Sequence, residues 1–147
     1  MSDYQNILVA ADFTEAGESA AKRAGNFAKR FGARLTILHV LEHFPEDMPN
    51  SIIPPENVDT QKYLIDRAQD SLEKLCDRIE CPGATLEVAV STRSASREIV
   101  RYAQRSGVDL IVVGSHGQHG IMGMLGSTAS SVLHAATVDV LVVRSTE

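Results

Sequence analysis

A chain of 147 residues, 44% of them hydrophobic, is long enough to fold as one domain and bury roughly two thirds of its unfolded surface without a disulfide or metal staple. Its 14 Lys and Arg against 19 Asp and Glu leave a formal charge of −5 with the cations scattered, so counterion release on nucleic acid has no basic stripe to start from. Aromatics at 5% with no Trp offer no stacking platform for single strands, and no apolar run nears the roughly 18 residues of a membrane span.

Residues 6–11, Asn-Ile-Leu-Val-Ala-Ala, are a short apolar run bounded by polar residues, which suits a strand buried on both faces of a parallel sheet. From Thr14 the period changes. Ala20, Ala24, Phe27, Ala28 and Phe31 recur at three- and four-residue spacing, with Thr14 placed to cap the helix and Gly32 to end it. Residues 34–41 follow as a second strand, with Thr36, Ile37 and Val40 supplying β-branched side chains. Between His43 and Val58 lie four of the five prolines and no apolar period, so this stretch reads as a long functional loop or a tolerated surface insertion.

A second helix is expected from Asp59 or Thr60, with Leu64, Ala68, Leu72, Leu75 and Ile79 as its stripe and Pro82 and Gly83 as its stop. Residues 84–90 form a third strand. Ser94 or Ser96 can cap a third helix carrying Ile99, Val100 and Ala103, and Gly107 can terminate it. Residues 109–113 are a fourth strand, a glycine-rich loop leads to a helix with Ala129, Val132, Leu133 and Ala136, and residues 138–143, from Val138, close the chain as a fifth strand. Strict alternation predicts a single domain over residues 1–147, an open, doubly wound α/β sheet of order 3-2-1-4-5 with helices on both faces and right-handed crossovers.

Ligands in such sheets sit beyond the carboxyl ends of the strands where strand order reverses, here between the first and fourth strands. The loops there are Ala11-Asp12-Phe13-Thr14 and Gly114-Ser115-His116-Gly117. Gly114, Gly117, Gly120, Gly123 and Gly126 put five of the ten glycines into a short stretch, letting backbone amides approach an anion, and Gly126-Ser127-Thr128 opening a helix adds free N–H groups and hydroxyls. That composition suits phosphate; plain backbone need is the competing account. Asp12 is suited to a ribose hydroxyl or a metal beside phosphates, or to a turn before the helix. His116 and His119 form His-x2-His without an acidic or Cys partner nearby, so no metal site is expected, and His39 reads as a satisfied core histidine. Ser115, Ser127 and Ser131 lack a His/Asp arrangement for nucleophilic catalysis.

The segments 6–12 (Asn-Ile-Leu-Val-Ala-Ala-Asp), Leu38-His39-Val40, 109–117 (Asp-Leu-Ile-Val-Val-Gly-Ser-His-Gly), Gly126-Ser127-Thr128 and 138–143 together resemble the universal stress protein family over nearly the whole chain. Nucleotide-binding members carry Gly-x2-Gly-x9-Gly-(Ser/Thr) around the phosphates, an Asp after the first strand at the nucleoside and a Val ending the second strand at the base. The resemblance implies those roles for Gly114, Gly117, Gly126, Ser127, Asp12 and Val40, with Thr128 as an extra donor, and ATP or AMP with Mg as the ligand. Here eight residues, not nine, separate Gly117 from Gly126, and Thr92-Arg93-Ser94-Ala95 stands where the family often has Gly-x-Pro. Both departures resemble the subgroup that does not hold ATP tightly, so weak binding is expected.

The expected function is a stress-response binding module, not an enzyme, with any ATP hydrolysis slow. Cys76 and Cys81 stand apart from any Cys/His cluster and no signal peptide is evident, which points to a reducing, cytoplasmic setting with neither nucleic acid nor membrane as partner. The fifth strand, low in charge and at a sheet edge, is expected to pair with a second copy as a homodimer. The alternative is a nucleotide-activating enzyme of the related adenine nucleotide α-hydrolase-like fold, which needs a glycine-serine loop after the first strand where this chain has Ala-Ala-Asp-Phe-Thr. A phospho-receiver fits less well, because it needs an acidic pair after the first strand, an Asp ending the third and a Lys ending the fifth.

Overall fold

The computed structural model describes residues 3–42, 60–115 and 125–144. Its elements run β1 (Asn6–Ala10), α1 (Glu15–Phe31), β2 (Arg34–Glu42), α2 (Thr60–Arg78), β3 (Thr85–Ser91), α3 (Ala95–Arg105), β4 (Leu110–Gly114), α4 (Ser127–Ala135) and β5 (Asp139–Val143). All strand pairs are parallel and the order is β3-β2-β1-β4-β5, the expected doubly wound α/β sheet. The proline-rich segment from His43 to Val58 lies outside the described residues.

The central strands are apolar on both faces because each face carries a helical layer. Ile7, Val9, Leu35 and Ile37 pack with Ala20, Ala24 and Ala28 of α1 and with Leu72 and Leu75 of α2. Leu8, Leu38, Ile111 and Val113 point the other way, onto Ile99 and Ala103 of α3 and Ala129 and Val132 of α4. Burying each of these larger side chains contributes about 1.5–3 kcal/mol. The small residues along α1 let it lie close against β1 and β4 at the centre of the sheet.

Local chemistry sets the helix ends. Thr14 caps α1 by accepting the Gly17 N–H, and Gly32, left-handed at φ 65°, closes it by donating to the Ala28 carbonyl. Ser94 caps α3 through the Arg97 N–H. Helix α2 ends at Arg78, earlier than Pro82 and Gly83 suggest. Glu80 takes φ 57°, its N–H reaches the Asp77 carbonyl at 3.2 Å, and the Cys81 N–H reaches the Cys76 carbonyl at 3.2 Å. That paired closure satisfies the last carbonyls before the proline is met.

Strand β4 starts at Leu110, one residue later than the expected 109, while Asp109 still donates its N–H to the Asn6 carbonyl at 2.9 Å and turns its carboxylate back to the start of β1. It accepts the Gln5 N–H at 2.8 Å and the Asn6 N–H at 3.1 Å, which pins the entry of β1 beside β4. Strand β5 likewise begins at Asp139, whose carboxylate accepts the Tyr4 hydroxyl at 2.7 Å. That bond, with the negative charge behind it, holds the Tyr4 phenol above its ordinary value.

Candidate functional site

Strand β1 is flanked by β2 on one side and β4 on the other, so successive crossovers leave it in opposite directions and open a crevice at the carboxyl edge. Four pieces of chain meet that edge: the turn from β1 into α1, the end of β2, the exit of β4, and the start of α4.

The turn is built around Asp12. Its Oδ1 accepts the Thr14 N–H at 3.1 Å and the Thr14 hydroxyl at 2.5 Å, while Thr14 Oγ1 accepts the Gly17 N–H at 3.1 Å. Phe13 between them is left-handed at φ 63° and exposed. A Cβ on Gly17 would lie 2.3 Å from Asp12 Oδ1, so glycine is what lets the carboxylate lie against the first turn of α1. The turn role considered for Asp12 is therefore real. It is carried by Oδ1, and the residue remains exposed at the crevice.

His39, half-buried on β2, closes the turn from behind. The Ala11 carbonyl lies 2.6 Å from its Nδ1, which must carry the proton, and its ring lies 4.4 Å from that of Phe13, tilted by 33°. Burial pushes its pKa below the usual imidazole value, against the opposing pull of the Ala11 carbonyl and the Asp12 charge, so the ring is neutral near pH 7. It is the satisfied histidine expected from the sequence.

Val40 follows on the same strand, half-buried among the α3 and α4 side chains. The Leu38 carbonyl accepts the Ala11 N–H at 2.8 Å, so the backbone of Leu38 faces β1. By strand alternation the N–H and C=O of Val40 face the same way, and the paired length of β1 has already ended at Ala10 opposite Leu38. A donor and an acceptor are thus turned toward the crevice.

Across the crevice, a Cβ on Gly114 would meet the Ala16 carbonyl at 3.0 Å, so glycine allows the end of β4 to touch the first turn of α1. Ser115 donates its N–H to the Val143 carbonyl at 2.8 Å and accepts the Gly126 N–H at 2.6 Å, clamping the two ends of the glycine-rich loop together. The Gly126 amide is therefore spent on the protein and is not a donor for an anion. That part of the expected role moves to Ser127 and Thr128, both exposed. The first bond within α4 runs from the Ser130 N–H to the Gly126 carbonyl, so the amides of Ser127, Thr128 and Ala129 come before it. Gly126 caps α4 without a side-chain bond, and the first turn holds no acid. By contrast, α1 has Thr14 with Glu15 and Glu18, and α3 has Ser94 with Glu98. The α4 terminus keeps its partial positive charge directed at the crevice edge.

Gly117, Gly120, Gly123, His116 and His119 lie outside the described residues. Among the described residues no group of three or more His, Cys, Asp or Glu is placed to hold a metal. Sequence reasoning did not single out Phe13, Gly17 or the positioning contacts of His39. A glycine five residues after an acidic turn residue was the available signal for Gly17; a left-handed phenylalanine leaves none.

An open α/β sheet with a reversal crevice between a capped acidic turn and an uncapped helix start defines the class. The model of the universal stress protein family matches residues 3–144, and the chain belongs to that family. Universal stress protein A homolog 1 of Coxiella burnetii is 33% identical over 140 residues, covering 95% of this chain and 96% of its own. The universal stress protein UspA from Lactobacillus plantarum is 27% identical with a TM-score of 0.76, covering 98% of this chain and 100% of that one. Two further neighbours share the fold: a universal stress protein solved in complex with cAMP (24% identity, TM-score 0.70, 99% and 100% covered) and the Archaeoglobus fulgidus protein in complex with dAMP (23%, 0.63, 95% and 98%). No helix among the described residues is long and apolar enough to cross a membrane.

Proposed function

We infer that this universal stress protein is a binding module for an adenine nucleotide, held in the crevice between β1 and β4. The observation that carries this reading is the uncapped, acid-free start of α4 facing the Asp12 turn and the outward backbone of Val40 across one sheet edge. The neighbours solved with cAMP and dAMP support an adenine nucleotide as the ligand class. In this reading Val40 offers its backbone donor and acceptor to the base, Asp12 accepts from a ribose hydroxyl, and Ser127 and Thr128 meet the phosphate with amides and hydroxyls. Gly114 and Gly126 keep the two ends of the loop close. No Lys or Arg falls between Gly114 and Thr128, so a monophosphate suits the helix terminus by itself, whereas ATP needs Mg to offset its charge beside Asp12.

Binding is the output and catalysis is not. Phosphoryl transfer needs placed cationic groups, which the loop lacks, and α-phosphate activation needs a glycine-serine loop where Asp12-Phe13-Thr14 stands. The module acts in the cytoplasm, in keeping with two free, buried thiols, of which burial raises the Cys76 pKa. It works as a homodimer through the open edge of β5.

The test is mass spectrometry of small molecules released from the denatured protein, followed by calorimetry with AMP and with ATP and Mg. Bound AMP or ATP, weakened by Asp12→Ala, supports the reading, and a one-residue insertion between Met124 and Leu125 should tighten binding by restoring the nine-residue spacing. An empty protein giving no heat with either nucleotide would sink it.

A further inference from the structure

Bulky residues rarely adopt the left-handed region, and an outlier of this kind persists only where its surroundings over-determine it. Phe13 is such a residue, at φ 63° in the turn that carries Asp12. Besides the Asp12–Thr14 bonds that span it, two contacts brace this corner, and both come from one side chain on the neighbouring strand. His39 donates from Nδ1 to the carbonyl of Ala11, just before the turn, at 2.6 Å. Its ring also backs the Phe13 ring at 4.4 Å. Asp12 is the residue between these two anchors. With both ends fixed, its Oδ1 falls on the Thr14 amide and hydroxyl and the carboxylate is set at the crevice edge. His39 also immediately precedes Val40, so one residue ties the strand end proposed for the base to the turn proposed for the ribose.

We propose that His39 is a positioning residue for the nucleotide crevice, clamping the residue 11–13 corner by its bond to Ala11 and its ring contact with Phe13 so that Asp12 is pre-set for a ribose hydroxyl. Its effect on affinity rests on the adenine-nucleotide reading above; its effect on the turn does not. Pre-setting a side chain removes an ordering cost from binding, so the clamp acts through Asp12 and not by touching the ligand.

Two substitutions separate the contacts: His39→Phe keeps a ring and loses the donor, and His39→Gln keeps a donor and loses the ring. Backbone chemical shifts of Phe13 report whether it stays left-handed, and calorimetry with AMP reports affinity. Both variants should lose the left-handed signature, and each should weaken AMP binding about five-fold, which for His39→Phe is the effect of one hydrogen bond of ordinary net strength and for His39→Gln that of the lost ring contact. In an Asp12→Ala background, His39→Phe should change AMP affinity by less than about two-fold, because coupled residues are not additive. Unchanged Phe13 shifts in both variants would overturn the proposal, as would an equal loss of affinity with and without Asp12, which marks general damage to the fold. If the wild-type protein gives no heat with AMP, the binding reading fails, and the Phe13 shifts still decide whether His39 clamps the turn.

Discussion

Asp12 and Gly17 occupy one small volume, and their coupling predicts the sign of a mutation. Gly→Ala inside a helix ordinarily stabilises by roughly 1 kcal/mol. Here the added Cβ would sit 2.3 Å from Asp12 Oδ1, so Gly17→Ala should lower the melting temperature and disturb the turn. In an Asp12→Ala background the clash with that oxygen is gone, and the same substitution should be neutral or stabilising. Thermal melts of the four proteins check the reversal. His39 gives a second residue-scale prediction. Its folded pKa lies below the ordinary value of 6.5 because burial penalises the charged ring, and Asp12 is the charge that opposes this. The unfolded chain then binds more protons on the acid side, so the stability contributed by neutral His39 is complete above about pH 6.5 and is lost as pH falls below it. Urea melts at pH 7.5 and 5.5 should show a larger acid loss for the wild type than for His39→Gln.

At the scale of elements, helices α1, α3 and α4 treat their N-termini differently. Helices α1 and α3 are closed by Thr14 and Ser94, whereas α4 begins on Gly126 with no side-chain cap. An acid in the first turn of α4 meets the helix dipole favourably and contributes about 0.3–1 kcal/mol. Thr128→Glu should therefore raise stability while repelling a phosphate from the same amides. Chemical denaturation and AMP calorimetry should move in opposite directions. A variant that gained stability with no loss of AMP binding would remove the α4 terminus from the site.

For the whole molecule, the open question of assembly sits on β5. The Val143 carbonyl accepts from Ser115, so residues 139, 141 and 143 turn their backbone groups to β4, and by alternation Val140 and Val142 turn theirs outward to the open edge. A second copy pairing there satisfies that edge in a two-fold contact. Val142→Pro deletes one outward donor and leaves the bonds to β4 in place, a position where an edge strand tolerates proline. Sedimentation at micromolar concentration should show a dimer for the wild type and a folded monomer for the variant. A wild-type monomer would refute the pairing.

The sequence by itself determined what depends on neighbours along the chain. The double-sided apolar runs of β1 and β4, the alanine stripe of α1, and the caps Thr14 and Gly32 were legible, and the α3 cap was narrowed to Ser94 or Ser96, because burial periodicity and capping act over a few residues. The family's motifs likewise single out Asp12, Val40, Gly114, Ser127 and Thr128, which the fold places along one edge of the sheet. Only the tertiary structure decided the rest. The Asp109 carboxylate reaches back to the Gln5 and Asn6 amides, Gly126 gives its amide to Ser115, and Phe13 goes left-handed against His39. Each is set by contacts between residues from about ten to a hundred positions apart, and local pattern carries no term for the through-space bond that outcompetes the local preference.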